Sequence, residues 1–295
     1  MRLVLSFVLV WAISYAEPLA RKKKSTTLIR IPENKIDYFC CGQRPLATGN
    51  GVLEVAQITD DVQEAIPHSH PSLCSIRFQD NPHEHLCSGA LIKNLAGEYY
   101  IITAFACVVY GPQAYKAHCG VHNRSDLSEP QSAIARFHFV GQYRIFHPRD
   151  DCDIAIFKLY TDLPFNLYIS AACLPNEDWY EGQIGLFVGW YNKTDISANL
   201  PKVHQFETRI RSRARCEQKY GNLFTRNTMC SSLPESGFNP CGYEYGAPLY
   251  TYREYGWTLT GIGYWIPDCT QPNRLVMYTD VFALRDWINQ TINVS

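Results

Sequence analysis

The sequence predicts an all-β fold, a barrel or a sandwich, on three observations. Short apolar or alternating runs recur from Ser72 onward, with Gly, Pro and Asn between them. Only two stretches carry a helical period. Twelve cysteines, an even number with no C-x-x-C pair, fit up to six disulfides rather than a zinc site, so neither a metal nor a cofactor is expected.

Taken in order, residues 1–16 read as a secretory signal. Arg2 precedes the apolar run Leu3 to Ile13, and Ser14-Tyr15-Ala16 supplies a small-x-small cleavage site. Residues 17–71 read as an irregular extension, poor in strand pattern and held by cysteine at Cys40 and Cys41. Its basic run Arg21-Lys22-Lys23-Lys24 reads either as a dibasic processing site or as a solvated tail. The main domain covers 72–295. Strands are expected at Ser72–Phe78, His85–Ile92, Glu98–Phe105, Ala133–Val140, Asp153–Leu159, Ile184–Tyr191, Gln205–Ile210, Ala247–Arg253, Gly256–Tyr264 and Arg274–Val281. Ser212–Tyr220 reads as a short helix. Val281–Ile292 reads as an amphipathic one, with Val281, Leu284, Trp287, Ile288 and Ile292 on one face.

A formal net charge of −1 gives nothing global for nucleic acid to hold. No stretch reaches the about 20 apolar residues of a membrane span, so a secreted, extracellular location is expected. Four N-x-S/T sequons, at Asn123, Asn192, Asn289 and Asn293, mark glycosylation candidates that belong on the surface.

Several blocks then fall in a particular order. They are Cys87-Ser88-Gly89-Ala90-Leu91-Ile92, Thr103-Ala104-Phe105-Ala106-Cys107, Asp153-Ile154-Ala155-Ile156-Phe157-Lys158-Leu159, Ala172-Cys173-Leu174-Pro175, Gly189-Trp190 and Cys241-Gly242-Tyr243-Glu244-Tyr245-Gly246-Ala247-Pro248-Leu249. In this order they resemble the trypsin-like serine protease family, from about residue 72 to 292. The resemblance implies two six-stranded antiparallel Greek-key barrels with a cleft between them and a C-terminal helix. It implies the disulfides Cys87–Cys107, Cys216–Cys230 and Cys241–Cys269, with one of Cys40 or Cys41 reaching Cys173; Cys41 is assigned there. Cys74–Cys119 is paired as neighbouring strands, and Cys40–Cys152 by elimination.

The resemblance also assigns the chemistry. A triad needs a hydroxyl, an imidazole and an orienting carboxylate. The carboxylate position holds Asp153, the histidine position Ala106 and the serine position Tyr245. The oxyanion-hole glycine is Tyr243, the acid before the nucleophile is Glu244, and the specificity pocket is altered at Asn239, Tyr264, Ile266 and Val276. His118 and His122 match no motif and are read as surface histidines. No Lys or Arg lies between Arg44 and Arg77, so a single uncut body is expected.

These positions lead to the expectation that the chain is not an enzyme. It reads as a non-catalytic homologue similar to secreted arthropod types, a binding module, cofactor or decoy in an extracellular proteolytic cascade. Its partner would be a protein, a protease or its substrate. The alternatives are a hydrolase with a non-standard site and a structural glycoprotein. Tyr243, Tyr245, Tyr250, Tyr252, Tyr255, Tyr264 and Trp265 read as a contact surface or as filling for a vacant pocket. Arg209, Arg211, Arg213 and Arg215 alternate, as on one strand face. They read as a patch for an acidic partner or a sulfated glycan, or as a solvated face.

Overall fold

Two antiparallel sheets and a terminal helix arise from these runs. A computed structural model describes residues 29–30, 41–42, 52–53, 62–108, 114–129, 133–135, 137–145, 151–160, 163–164, 166–190, 200–233, 244–265 and 275–294. A two-residue ladder joins β1 (Ile29–Arg30) to β2 (Val52–Leu53).

The first sheet holds β4 (Leu73–Phe78), β5 (His85–Lys93), β6 (Tyr99–Thr103), β7 (Tyr115–Cys119), β8 (Ala133–Ala135), β9 (Phe137–Ile145) and β10 (Asp151–Leu159). Its spatial order is β8-β7-β4-β5-β6-β10-β9. Seven flat strands would set the outer two about 29 Å apart at the usual inter-strand spacing. Yet only residue 136 separates β8 from β9 in sequence. Their facing ends are therefore within about 7–8 Å, and the sheet must curl until its edges meet.

The second sheet holds β3 (Gln63–Glu64), β11 (Ile184–Gly189), β12 (His204–Arg209), β13 (Thr228–Ser232), β14 (Pro248–Arg253), β15 (Gly256–Trp265) and β16 (Leu275–Asp280). Its order is β13-β16-β15-β14-β11-β12-β3. It curls too: past the end of β12, Ile210 bridges Ser231 of β13, and Arg211 N–H donates to Cys230 O at 2.9 Å.

Each sheet thus has seven strands where six were expected. The Ala133–Val140 run breaks at residue 136 and supplies both edges of the first sheet. Residues of the extension add β3 to the second, pairing Gln63 with Gln205 and Glu64 with His204.

Strands buried on both faces place Leu91, Ile101, Ile102, Ile154 and Ile156 in a core that continues through Trp190, Tyr250 and Leu259 to the terminal helix. A second core inside the other sheet holds Phe187, Phe206, Met229, Val276 and Tyr278. Helix α1 spans Arg213–Tyr220 and α2 spans Arg285–Val294. α2 starts later than its period suggests, because Val281–Leu284 form turns closed on Asp280, whose Oδ1 accepts from Ala283 N–H at 3.1 Å. Leu284, Ile288 and Ile292 are buried, whereas Asn289 and Asn293 are exposed.

The far end of α2 is capped from the first sheet. Asn94 Nδ2 and Tyr100 Oη both donate to Ile292 O at 2.8 Å. Asn94 is buried and also accepts from Glu98 N–H at 2.9 Å. Asn94→Ala is expected to cost about 1–2 kcal/mol, because it removes one of the two donors to Ile292 O and the acceptor of the Glu98 N–H. A urea titration reads this directly; an unchanged midpoint would remove the cap from the account.

Four disulfides occur among the described residues: Cys41–Cys173, Cys74–Cys119, Cys87–Cys107 and Cys216–Cys230. Cys74 and Cys119 are direct partners across β4 and β7. The sites of the other two expected bridges, Cys40–Cys152 and Cys241–Cys269, lie outside the described side chains. Beside Cys41, Gly42 has φ +75°, and a Cβ there would stand 2.6 Å from Trp257 N, so the tether needs glycine.

Candidate functional site

Asp153 lies near the start of β10 and is 6% exposed. Its Oδ1 accepts the Ala106 N–H at 2.8 Å. Ala106 sits in the 3-10 turn Phe105–Val108, which the Cys87–Cys107 bridge pins to β5. Thr279 Oγ1 of β16 donates to Asp153 O at 3.1 Å, so the second sheet fixes the same residue. The carboxylate therefore addresses residue 106 through its backbone. An alanine has no atom that transfers a proton, so hydrolytic chemistry here must draw its base from another group.

The loop before β14 carries Glu244, Tyr245 and Gly246. Glu244 is buried, and its Oε1 accepts from Ser88 Oγ at 2.5 Å and lies 3.0 Å from His85 Nε2. His85 Nδ1 is 2.7 Å from Ser75 Oγ, which accepts from Arg77 Nε at 2.9 Å. A buried relay thus runs Arg77–Ser75–His85–Glu244–Ser88 along β4 and β5 to the loop. Arg77 ends it by donating to Pro82 O at 2.8 Å and Arg124 O at 2.6 Å. Burial and the nearby Arg124 lower Arg77 to about 10. Burial would raise the Glu244 carboxyl, but the His85 charge, the bonds from His85 and Ser88, and Arg124 outweigh it and hold it below the ordinary value.

Tyr245 is half-buried, and its carbonyl accepts from Ser88 N–H at 3.0 Å. Gly246 follows at φ +78°, with its N–H on Gly263 O at 2.8 Å. A Cβ at Gly246 would lie 2.0 Å from Ser88 O and 2.2 Å from Thr103 Oγ1. The loop is thereby clamped between the two sheets.

Comparison with known proteins decides the family. A family model described as Trypsin matches residues 60–288. The chain belongs to the trypsin family. It is similar to Transmembrane protease serine 11C of Mus musculus, 28% identical over 211 residues, which is 69% of this chain and 47% of that protein. The chain thus spans about half the length of the curated relative it matches.

Membership corrects the expectation that the chain is not an enzyme. That expectation rested on Ala106 and Tyr245, on Tyr243 at the oxyanion-hole position, on the altered pocket positions and on the lack of a basic cleavage site between Arg44 and Arg77. The match runs over both sheets, and trypsin-family membership together with a relative named as a protease points to a serine protease. Among the described residues, no helix is long and apolar enough to cross a membrane, and no His, Cys, Asp and Glu cluster could hold a metal ion.

Of the expected pocket residues in this trypsin-family chain, Val276 is buried in β16, and Tyr264 packs against the small core of Cys216, Phe224, Cys230, Leu275 and Met277. Asn239, Tyr243 and Ile266 lie outside the described residues, as does Asn192. Of the aromatic group, Tyr250 belongs to the core, with its Oη 2.8 Å from Ser72 Oγ. Tyr252 and Tyr255 are half-buried and partly exposed.

The histidines were misplaced by sequence. His118 and His122 are buried, not on the surface. Burial and the Arg77 charge lower His118 to about 4, which keeps it neutral. His122 Nε2 lies 3.2 Å from Glu64 Oε1, where Lys202 also reaches at 2.9 Å. The relay at Glu244 escaped sequence reading because His85 and Ser88 lie 159 and 156 residues away.

The arginines do not share one strand face. β12 ends at Arg209, and α1 begins at Arg213. Arg213 turns inward: Nη2 meets Asp280 Oδ2 at 2.8 Å, and Nη1 donates to Arg226 O and Thr228 O at 3.1 and 3.2 Å. Asn123 is half-buried, with its Oδ1 accepting from Ser125 N–H at 3.1 Å.

Proposed function

We propose that this trypsin-family chain works in an extracellular proteolytic cascade by holding a protein partner, a protease or a protease's substrate, on the face around Tyr245. One observation supports the reading above others: a partly exposed aromatic side chain, packed against the first core, stands on a backbone locked by Ser88, Gly246 and the buried Glu244. Tyr is favoured at interfaces, and a pre-ordered side chain loses little freedom on binding. The extracellular setting is supported by four disulfides, which persist in oxidising compartments.

Cross-linked pull-down from extracellular fluid tests it, wild type beside Tyr245→Ala. Wild type should enrich a secreted protease or a protease substrate, and the variant should lose about tenfold or more of that capture, the loss of one interface anchor. Equal capture by both proteins, or no such partner, overturns the reading.

A second reading is peptide hydrolysis, favoured by family membership and by an Asp153 carboxylate aimed at residue 106. The purified protein is assayed on a peptide library. Turnover that falls in Asp153→Asn supports this reading; absence of turnover, or an equal rate in the variant, removes it.

A further inference from the structure

Between Arg209 and Arg226 the chain carries six cations and one anion, Glu217, in a protein of net charge −1. That imbalance is local, and the fold sorts it. Arg213 is taken up by Asp280 and by two carbonyls, with its guanidinium 4.9 Å over the Trp179 ring. Arg209 has Glu207 at 3.8 Å. Arg211 is half-buried, with its Nε out of solvent. Arg215, Lys219 and Arg226 are exposed.

In α1 the buried position is Cys216, flanked by half-buried Arg213 and Tyr220. These lie three and four residues apart and define the inner face. Arg215 and Lys219, also four apart, form a ridge on one flank of the helix beside that face, and both are exposed. Neighbours at that spacing stand about 5–6 Å apart at Cβ. Arg226, beyond the helix, is exposed as well, and its carbonyl accepts from the inward-turned Arg213. The ridge has a rigid base: the Cys216–Cys230 bridge and the Arg211 N–H to Cys230 O bond pin α1 to β13.

We propose that the ridge of Arg215 and Lys219, with exposed Arg226 elsewhere on the segment adding to its charge, docks a linear sulfated glycan. The proposal does not rest on the Tyr245 face. A row of exposed cations on a convex helix meets repeated anions along a polymer, each contact exposed and screened by salt. A protein partner would need an apolar centre. The exposed large apolar side chain of this segment is Leu223 alone.

Heparin is the probe, immobilised and eluted with a salt gradient. The full chain should be retained at low salt. Arg215→Ser/Lys219→Ser should elute earlier, with about a tenfold loss of affinity at low ionic strength. Lys93→Ser/Lys116→Ser on the first sheet should elute like wild type. The substituted positions of the ridge are exposed, and a melting curve confirms that both variants stay folded. Desulfated heparin should lose retention. No retention at low salt, or equal elution of the ridge variant, overturns the proposal. So does polyglutamate competing as well as heparin, which would assign the ridge to an acidic protein.

Discussion

A protein with alanine in place of Glu244 is expected to lose about 3–5 kcal/mol of stability, because the change strips one partner from a buried pair. His85 and the Ser88 hydroxyl would then face an unfilled, dry space 3.0 and 2.5 Å from where Oε1 stood. Glu244→Gln keeps an oxygen for both neighbours and is expected to lose only about 1–2 kcal/mol. Urea unfolding of the three proteins gives the order directly; Glu244→Ala equal to wild type would mean the relay holds nothing. The pair also fixes a pH dependence. The carboxyl is held below its ordinary value, so its contribution is complete above the unfolded value near 4.3 and fades as pH falls through the folded one. The acid limb of the stability curve should therefore be shallower in Glu244→Gln. His118 acts in a higher window. Its folded value is about 4 against about 6.5 unfolded, so only the unfolded chain takes up the proton between them. Stability should fall from pH 6.5 toward 4, and His118→Gln should flatten that stretch.

Gly246→Ala should be at least as damaging, by about 4 kcal/mol. A left-handed backbone costs an L-residue about 1–2 kcal/mol, and overpacking adds about 1–3 kcal/mol. Here the obstruction is a backbone oxygen, Ser88 O at 2.0 Å, which cannot swing aside as a side chain would. The strand carrying it, β5, is flanked by β4 and β6. The loop must yield instead, and Tyr245 moves with it. The expected result is a lower melting temperature together with loss of whatever Tyr245 holds. Retention of native stability would show the loop to be softer than its contacts.

Much of the fold is legible in the chain because most strands are short apolar runs set off by turn residues, and several are buried nearly end to end. β4, β5, β11 and β14 lie within two residues of their expected bounds. Two strands of the main domain escaped for a shared reason. β7 carries Lys116 and His118, and β13 reads Thr-Met-Cys-Ser-Ser; neither looks like a core strand. Their polar groups are buried because partners exist far away, as Ser231 Oγ finds Tyr278 Oη at 2.9 Å. Such satisfaction has no local signal. The site was partly legible. Asp153, Glu244 and Tyr245 are visible as motif positions, but the reading of altered triad, pocket and activation positions as proof against an enzyme overreached, since family membership concerns the whole frame. The arginine row failed because alternation was read across a strand end at Arg209, where the period changes from two to that of a helix.

The Cys41–Cys173 tether decides what happens when the segment between Cys41 and the first sheet is severed. Gly42 N–H is held by Ala171 O at 2.7 Å, and Gly42 O accepts from Trp257 N–H at 3.0 Å. A nick anywhere between Gly42 and Val62 would leave two polypeptides joined by sulfur, migrating together in a gel until reductant is added. The severed piece would stay at millimolar effective concentration beside the body, on the order expected for a short leash. Scission would then change how that piece moves without releasing it.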